Sequence, residues 1–218
     1  MGGCSEQERG WVPRLELEYW LCLMHEVELL RVPLVFGWSH ATFTLSEGGA
    51  VATRGVHDGT FRAAASMAVM RSGRHSAQFT VVRGITVLFG VVRPGCNVEG
   101  GASAYNVDGH YFYCTHSTGA VNPATAAGRG MQPAKEQGDR IGMLLDLDQG
   151  SMTVWKNDEK LGVMLAEGLS GEFCWAVEVS SQGESSRIES APAPASPTEE
   201  ELAAAVAYHP SESESDDE

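Results

Sequence analysis

Gly138-Asp139-Arg140-Ile141-Gly142-Met143-Leu144-Leu145-Asp146-Leu147-Asp148-Gln149-Gly150-Ser151-Met152-Thr153-Val154-Trp155-Lys156-Asn157-Asp158-Glu159-Lys160-Leu161-Gly162 is the stretch that decides the fold class. Successive side chains of an extended strand point to opposite faces, so Ile141, Met143, Leu145 and Leu147 share one apolar face. Asp148-Gln149-Gly150 then supplies a turn, and Met152-Thr153-Val154-Trp155 returns along the first strand. Asn157-Asp158 turns the chain again, into Leu161-Gly162-Val163-Met164. An apolar face of this kind has to be covered by a second sheet. Asp146 and Asp148 flank the first turn, where a carboxylate can accept backbone N–H bonds.

Outward from this hairpin the texture repeats. Ala41–Leu45 and Ala50–Thr53 read as strands around a Ser46-Glu47-Gly48-Gly49 turn, because glycine takes a positive φ without steric cost. Phe61–Met70 is small and apolar, and Ser72-Gly73-Arg74 interrupts it. Ala77–Val82, Ile85–Val92, Ala102–Val107 and His110–His116 read as further strands. Residues 117–137 read as a long loop, and Phe173–Val179 as the last strand, ending in Ser180-Ser181-Gln182-Gly183. Strands recurring every 8–12 residues between turn signals predict an all-β antiparallel sandwich or barrel. No strand–helix–strand alternation points to a parallel sheet.

The flanks differ from this middle. Residues 14–31 read as a helix ended by Pro33, within an N-terminal extension of 1–35. The sandwich is placed at 36–190. Ala191-Pro192-Ala193-Pro194-Ala195 reads as a semi-extended linker. Thr198 and Glu201 form a capping-box pattern opening a short helix over Leu202–Tyr208. Ser211–Glu218 reads as a disordered acidic serine run.

Composition narrows the function. The 218 residues carry a net charge of −14, and eight acids with no Lys or Arg in 198–218 leave −6 on residues 1–197. Phosphate backbones are repelled by such a chain, so nucleic-acid binding is disfavoured, and a basic membrane-binding patch is absent. Five cysteines without tight spacing argue against a disulfide framework and for a reduced compartment, cytoplasmic or nuclear. Charges at Glu16, Glu18, Glu26, Glu28 and Arg31 exclude a plain transmembrane helix in the most apolar stretch. Met1-Gly2-Gly3-Cys4-Ser5-Glu6 resembles a myristoylation start but has Glu6 where Ser or Thr is wanted.

The 138–162 hairpin resembles the signature hairpin of SPRY domains: Gly-Asp, a hydrophobic strand ending in Asp-x-Asp-x-Gly, an aromatic strand, then Asn-Gly and Leu-Gly. Ser72-Gly73-Arg74-His75 is similar to that family's Ser-Gly-Arg/Lys-His strand opening, Ile85–Gly95 to its Gly-Val-Ala-Arg region, and Phe173–Val179 to its late strand. The resemblance covers about residues 36–190 and implies a SPRY-like sandwich of the concanavalin-like jelly-roll type. It departs at Ser76-Ala77-Gln78, at Asp158 where Gly is usual, and at Ser181-Gln182-Gly183, where some peptide-binding members carry an aromatic. The resemblance further implies a binding module rather than an enzyme. Its partner would be a protein or short peptide, it would need no cofactor, and it would work as a monomer. Many relatives recognise substrates for ubiquitin-ligase or signalling assemblies.

Loops at one end of a sandwich are free to vary and bind. The candidate contacts are Arg93 and Asn97 in one loop, Tyr105, Asp108, His110 and Tyr111 in another, and Gln182 in a third. Tyr and Arg make good anchors because they bury much area at modest entropy cost. Two rival functions stand beside this. A scaffold could act through its acidic tail, where Thr198, Ser211, Ser213 and Ser215 each have an acid three residues on. A small hydrolase could use Cys114 or a histidine. No metal site is expected, since His110 and His116 lie ~20 Å apart along an extended strand. Neither is a dyad of His75 with Ser76, which point to opposite faces.

Overall fold

The computed structural model describes residues 20, 24, 33–100, 103–116, 121–122, 131–134 and 136–206. The expected helix over 14–31, apart from Trp20 and Met24, and the acidic run 211–218 lie outside the described residues. All that follows concerns the unit Pro33–Glu218.

Among the described residues thirteen strands follow in chain order: β1 (Phe36–Ser39), β2 (Phe43–Ser46), β3 (Val51–Arg54), β4 (Arg62–Ser66), β5 (Arg74–Arg83), β6 (Val87–Val92), β7 (Tyr111–Cys114), β8 (Val121–Asn122), β9 (Arg140–Asp146), β10 (Ser151–Lys156), β11 (Glu159–Leu165), β12 (Cys174–Val179) and β13 (Ser185–Ser190). They pair antiparallel into two sheets. One has six strands in the order β1-β4-β12-β6-β7-β8, and the other seven in the order β11-β10-β9-β5-β13-β3-β2. An α-helix, α1 (Glu199–Val206), follows the last strand.

The deciding hairpin folds as its alternation predicts. Ile141, Met143 and Leu145 are buried in the inter-sheet core, with Leu147 packed at its edge. Asp146 closes the turn by accepting the N–H groups of Asp148 (3.1 Å) and Gln149 (3.0 Å). Asp148 reaches across to accept the Gly73 N–H at 2.9 Å, tying the turn to the start of β5. At the next turn Asn157 and Asp158 both adopt positive φ, 50° and 71°. Asn157 offsets that conformation by accepting the Arg140 N–H (2.9 Å) and donating to Asp139 (2.8 Å). Asp158 pairs with the Arg140 guanidinium.

Between the sheets Phe79 of β5 stacks on Phe89 of β6 at 4.8 Å and meets the edge of Trp175 of β12 at 6.1 Å. This aromatic contact spans both layers and centres the core.

Four features differ from the sequence expectation. Phe173–Val179 is not the last strand: β13 follows and sits between β5 and β3. Its serine-rich sequence carries little strand propensity, and its partners on both sides supply the order. Ala104–Asn106 is a 3-10 turn rather than a strand, because the Glu178 carboxylate draws in the Ala104 and Tyr105 N–H groups from 74 and 73 residues away. The 117–137 segment contributes the short β8, paired to β7. Helix α1 starts at Glu199, directly after the capping residue Thr198. Thr198 N–H donates to the Glu201 carboxylate (2.8 Å) while Glu201 N–H reaches Thr198 Oγ1 (3.3 Å).

The Pro/Ala segment 191–198 is laid along the outer face of the seven-stranded sheet. The Ser76 hydroxyl donates to the Ala191 carbonyl. Ser196 Oγ donates to Asp146 Oδ2 (2.5 Å), and Lys160 Nζ meets Glu201 at 2.5 Å. Leu144, Thr153 and Val163, which face outward, are buried along with Pro197. This part of the sheet is therefore covered on both faces.

Candidate functional site

Strand β12 organises the loops into two ends. Cys174 lies beside Val92 of β6 and Val179 beside Val87. The loop leaving β6 starts at the Cys174 end, while the β5–β6 and β12–β13 loops meet at the Val179 end. A six-residue strand separates the two by about 17–20 Å.

Two charged side chains fasten the Val179 end. Arg54 is wholly buried. Its guanidinium donates to the Val56 carbonyl (2.7 Å), Thr42 Oγ1 (2.5 Å) and Asp58 Oδ1 (2.8 Å), and lies 5.7 Å from the Phe43 ring centre. The Thr60 hydroxyl and the Arg62 and Arg54 guanidinium groups hold the Asp58 carboxyl far below the usual carboxylate range. Glu184, also buried, accepts four backbone N–H groups: Ser181 (2.9 Å), Ser180 (3.1 Å), Ile85 (3.3 Å) and Thr86 (3.4 Å). Backbone bonds from Arg54 N to Glu184 O (2.9 Å) and from Gly183 N to Arg54 O (2.7 Å) join the two clamps.

Loops 55–61, 84–86 and 180–184 thus form one linked set. Val56 (52% exposed) and Ile85 (63% exposed) stand on it in solvent, with Gln182 exposed nearby in the chain and His57 Nδ1 bonded to the Ser180 carbonyl at 3.0 Å. Exposed aliphatics on fastened loops provide contact area whose ordering cost has already been met in folding.

The other sequence candidates lie on the long loop between β6 and β7, except Tyr111, which opens β7. Arg93 spreads its guanidinium 4.0 Å over the Phe173 ring and donates to the Ser170 carbonyl (2.6 Å). Tyr111 tilts against the same ring at 6.2 Å. From there the loop crosses the outer face of the six-stranded sheet, over Leu88, Val92, Phe112, Cys174 and Ala176. Tyr105 meets Phe61 edge-on at 5.4 Å, near the Val179 end. His110 is buried, its Nδ1 bonded to the Ala104 carbonyl (3.0 Å), and burial lowers its affinity for a proton. Asn97 and Asp108 are exposed. The fold therefore joins Arg93 and Tyr111 around Phe173 and puts Gln182 at the opposite end. Sequence reading missed Arg54, Glu184, Val56 and Ile85. The visible signal was an Arg in a small-residue strand and a lone Glu after a Gly turn, and neither named its partner.

Glu178 holds the crossing loop. Its buried carboxylate accepts the Ala104 N–H (2.5 Å) and Tyr105 N–H (2.9 Å), and burial pushes its pKa up to about 7. The folded state thus keeps this proton up to about pH 7, whereas an unfolded glutamate loses it near 4.5. Between those values the folded chain binds more protons, so stability falls as pH rises through the window. Denaturation midpoints measured from pH 5 to 8 are expected to decline for the natural chain and to decline less steeply for Glu178→Gln. Equal slopes would show that Glu178 does not carry the dependence.

Burial also raises the thiols, Cys96 to about 11 and Cys114 and Cys174 upward, opposite to the lowered value a nucleophilic cysteine uses. His75 bonds the Ser72 carbonyl while Ser76 bonds Ala191, on opposite faces of β5. Among the described residues no three His, Cys, Asp or Glu side chains gather as a metal would require.

The fold matches solved structures. The chain is similar to the SPRY domain of human HERC1 (TM-score 0.52, 19% identity, 68% of this chain and 92% of that one). It is similar to the TRIM65 PSpry domain (TM-score 0.52, 15% identity, 77% and 98%) and to a human SPRY domain (TM-score 0.51, 18% identity, 68% and 94%). No protein-family model matches the sequence, and no curated protein matches it. The architecture is that of SPRY domains.

Proposed function

We propose that this chain is a protein-interaction module that takes a short segment of a partner protein on the loops at the Val179 end of β12. The supporting observation is the pair of exposed aliphatics, Val56 and Ile85, on loops fastened by buried Arg54 and Glu184. Gln182 contributes a polar contact beside them, and Tyr105 borders the site. Asn97 and Asp108 extend the surface along the crossing loop, while Arg93, His110 and Tyr111 keep that loop in place. On this reading the chain works as a monomer in the cytoplasm or nucleus. It serves as the recognition part of a ubiquitin-ligase or signalling assembly whose catalysis comes from other subunits. The SPRY fold agrees with such a role, and the missing last-loop aromatic shifts the contact onto Val56 and Ile85.

The test is capture of partners by the full chain from its own cell lysate, read by quantitative mass spectrometry. Val56→Asp combined with Ile85→Asp is expected to lower captured partner at least ~10-fold, as loss of central apolar contacts does. Both positions are exposed, so stability should stay within roughly 0.5 kcal/mol. Undiminished capture by this variant, with loss on removal of 207–218, would instead support the acidic tail as the working surface.

A further inference from the structure

The segment 191–198 is held to the sandwich in an unusual way. Pro192, Pro194 and Pro197 keep it extended, and no strand pairs with it. A groove of about 360 Å³ remains beside it, lined by Gln78, Gly142, Trp155, Arg140, Pro192 and Pro194. The strap is therefore not densely packed along its length and depends on a few polar contacts. These are Ser76 to the Ala191 carbonyl, Arg74 to the Pro194 carbonyl (3.5 Å), and Ser196 Oγ to Asp146 Oδ2 (2.5 Å). The last is the one that involves a buried carboxylate, and it sits in a Ser196-Pro197 pair on an extended backbone. Proline-directed protein kinases take serines that precede proline in an open segment, so Ser196 and the buried Pro197 are reached when the loosely packed strap detaches transiently.

We infer that Ser196 is a phosphoacceptor for a proline-directed protein kinase, and that its phosphorylation lifts the 191–198 strap off the outer face of β9. In the transfer, Ser196 Oγ bonds to the γ-phosphorus of ATP, the bond from that phosphorus to the β,γ-bridging oxygen breaks, and ADP leaves. The hydroxyl proton passes to the kinase's base. The hydroxyl then has no proton to give Asp146. The phosphate adds about −1.5 to −2 charge directly against the Asp146 carboxyl. Asp146 is buried and already committed to the Asp148 and Gln149 N–H groups, so it cannot move aside. A phosphate is also too large for a site that brings two oxygens within 2.5 Å. The strap yields, uncovering Leu144 and Thr153.

The experiment uses the full chain, ATP and a proline-directed kinase, with sites mapped by mass spectrometry and amide hydrogen exchange followed over 191–206. Expected is one phosphoryl group on Ser196 and strap exchange at least ~10-fold faster, with the β5 and β9 amides unchanged. Ser196→Glu should reproduce most of the acceleration and Ser196→Ala little of it. Asp146→Asn in the Ser196→Glu background should restore protection, because Oδ1 still accepts from the turn while the other position becomes a donor. Four results would each overturn the inference. They are modification at Thr198 instead of Ser196, no modification at Ser196, unchanged or slower strap exchange after modification (Arg74 capturing the phosphate), and equal behaviour of the Glu and Ala variants.

Discussion

Replacing Arg54 with alanine is expected to destabilise the domain by about 2–4 kcal/mol, because it empties a buried site and leaves the Val56 carbonyl without its donor. The guanidinium satisfies Thr42, the Val56 carbonyl and Asp58 at once. Without it the Val56 carbonyl loses its donor, Asp58 keeps only Thr60 and Arg62, and the cavity fills poorly. Arg54→Lys should recover only part, since one ammonium cannot reproduce a fork that meets three acceptors in different directions. Chemical denaturation gives the stability change. Partner capture under conditions where the variant is folded should also fall, since the loop carrying Val56 loses its clamp. An Arg54→Ala domain that unfolds at the natural denaturant concentration would show that solvent can replace this network.

The second large effect is expected at Gly90 in the middle of β6. A Cβ there would stand 1.9 Å from the Tyr111 carbonyl oxygen and 2.9 Å from the Phe112 Cα. Both atoms are backbone of the neighbouring strand, so no side-chain rotation relieves the clash. Gly90→Ala must part β6 from β7, at a cost of about 3 kcal/mol or more. The displacement should reach Arg93, just after β6, and Tyr111, at the start of β7, which both lie on the Phe173 ring. A thermal melt should show the loss, and near-ultraviolet dichroism of the aromatic cluster should change with it. Gly59 is a useful contrast: an added Cβ there meets nothing within 4 Å, although its φ of +77° still disfavours alanine.

These two residues mark where sequence reading stops. Gly90 lies in a run read correctly as a strand, yet its need to be glycine comes from Tyr111, which approaches across the sheet. Arg54 ends β3, one residue beyond the strand read as Ala50–Thr53, and its partners come from Thr42, Asp58 and the turn at Glu184. Tyr105 was read within a strand where a 3-10 turn stands, and Arg93 and Gln182 were placed at one end when β12 holds them apart. That separation follows from β12 pairing between β4 and β6, an insertion of a late strand among early ones.

The sequence alone determined what repeats locally. The 138–162 hairpin, the inward row Ile141, Met143 and Leu145, the carboxylate-closed turn at Asp146 and the Thr198–Glu201 capping box were all legible. Each is decided by residues within a few positions of one another, through side-chain alternation or a bond to a neighbouring N–H. Tertiary structure alone decided the rest. It put β13 between β5 and β3, bent Ala104–Asn106 around Glu178, and brought Arg54 to Glu184. It also laid the Pro/Ala strap over the far face of the hairpin. Those contacts join residues from 50 to 136 positions apart, and no local pattern encodes which distant backbone will arrive to satisfy a buried charge.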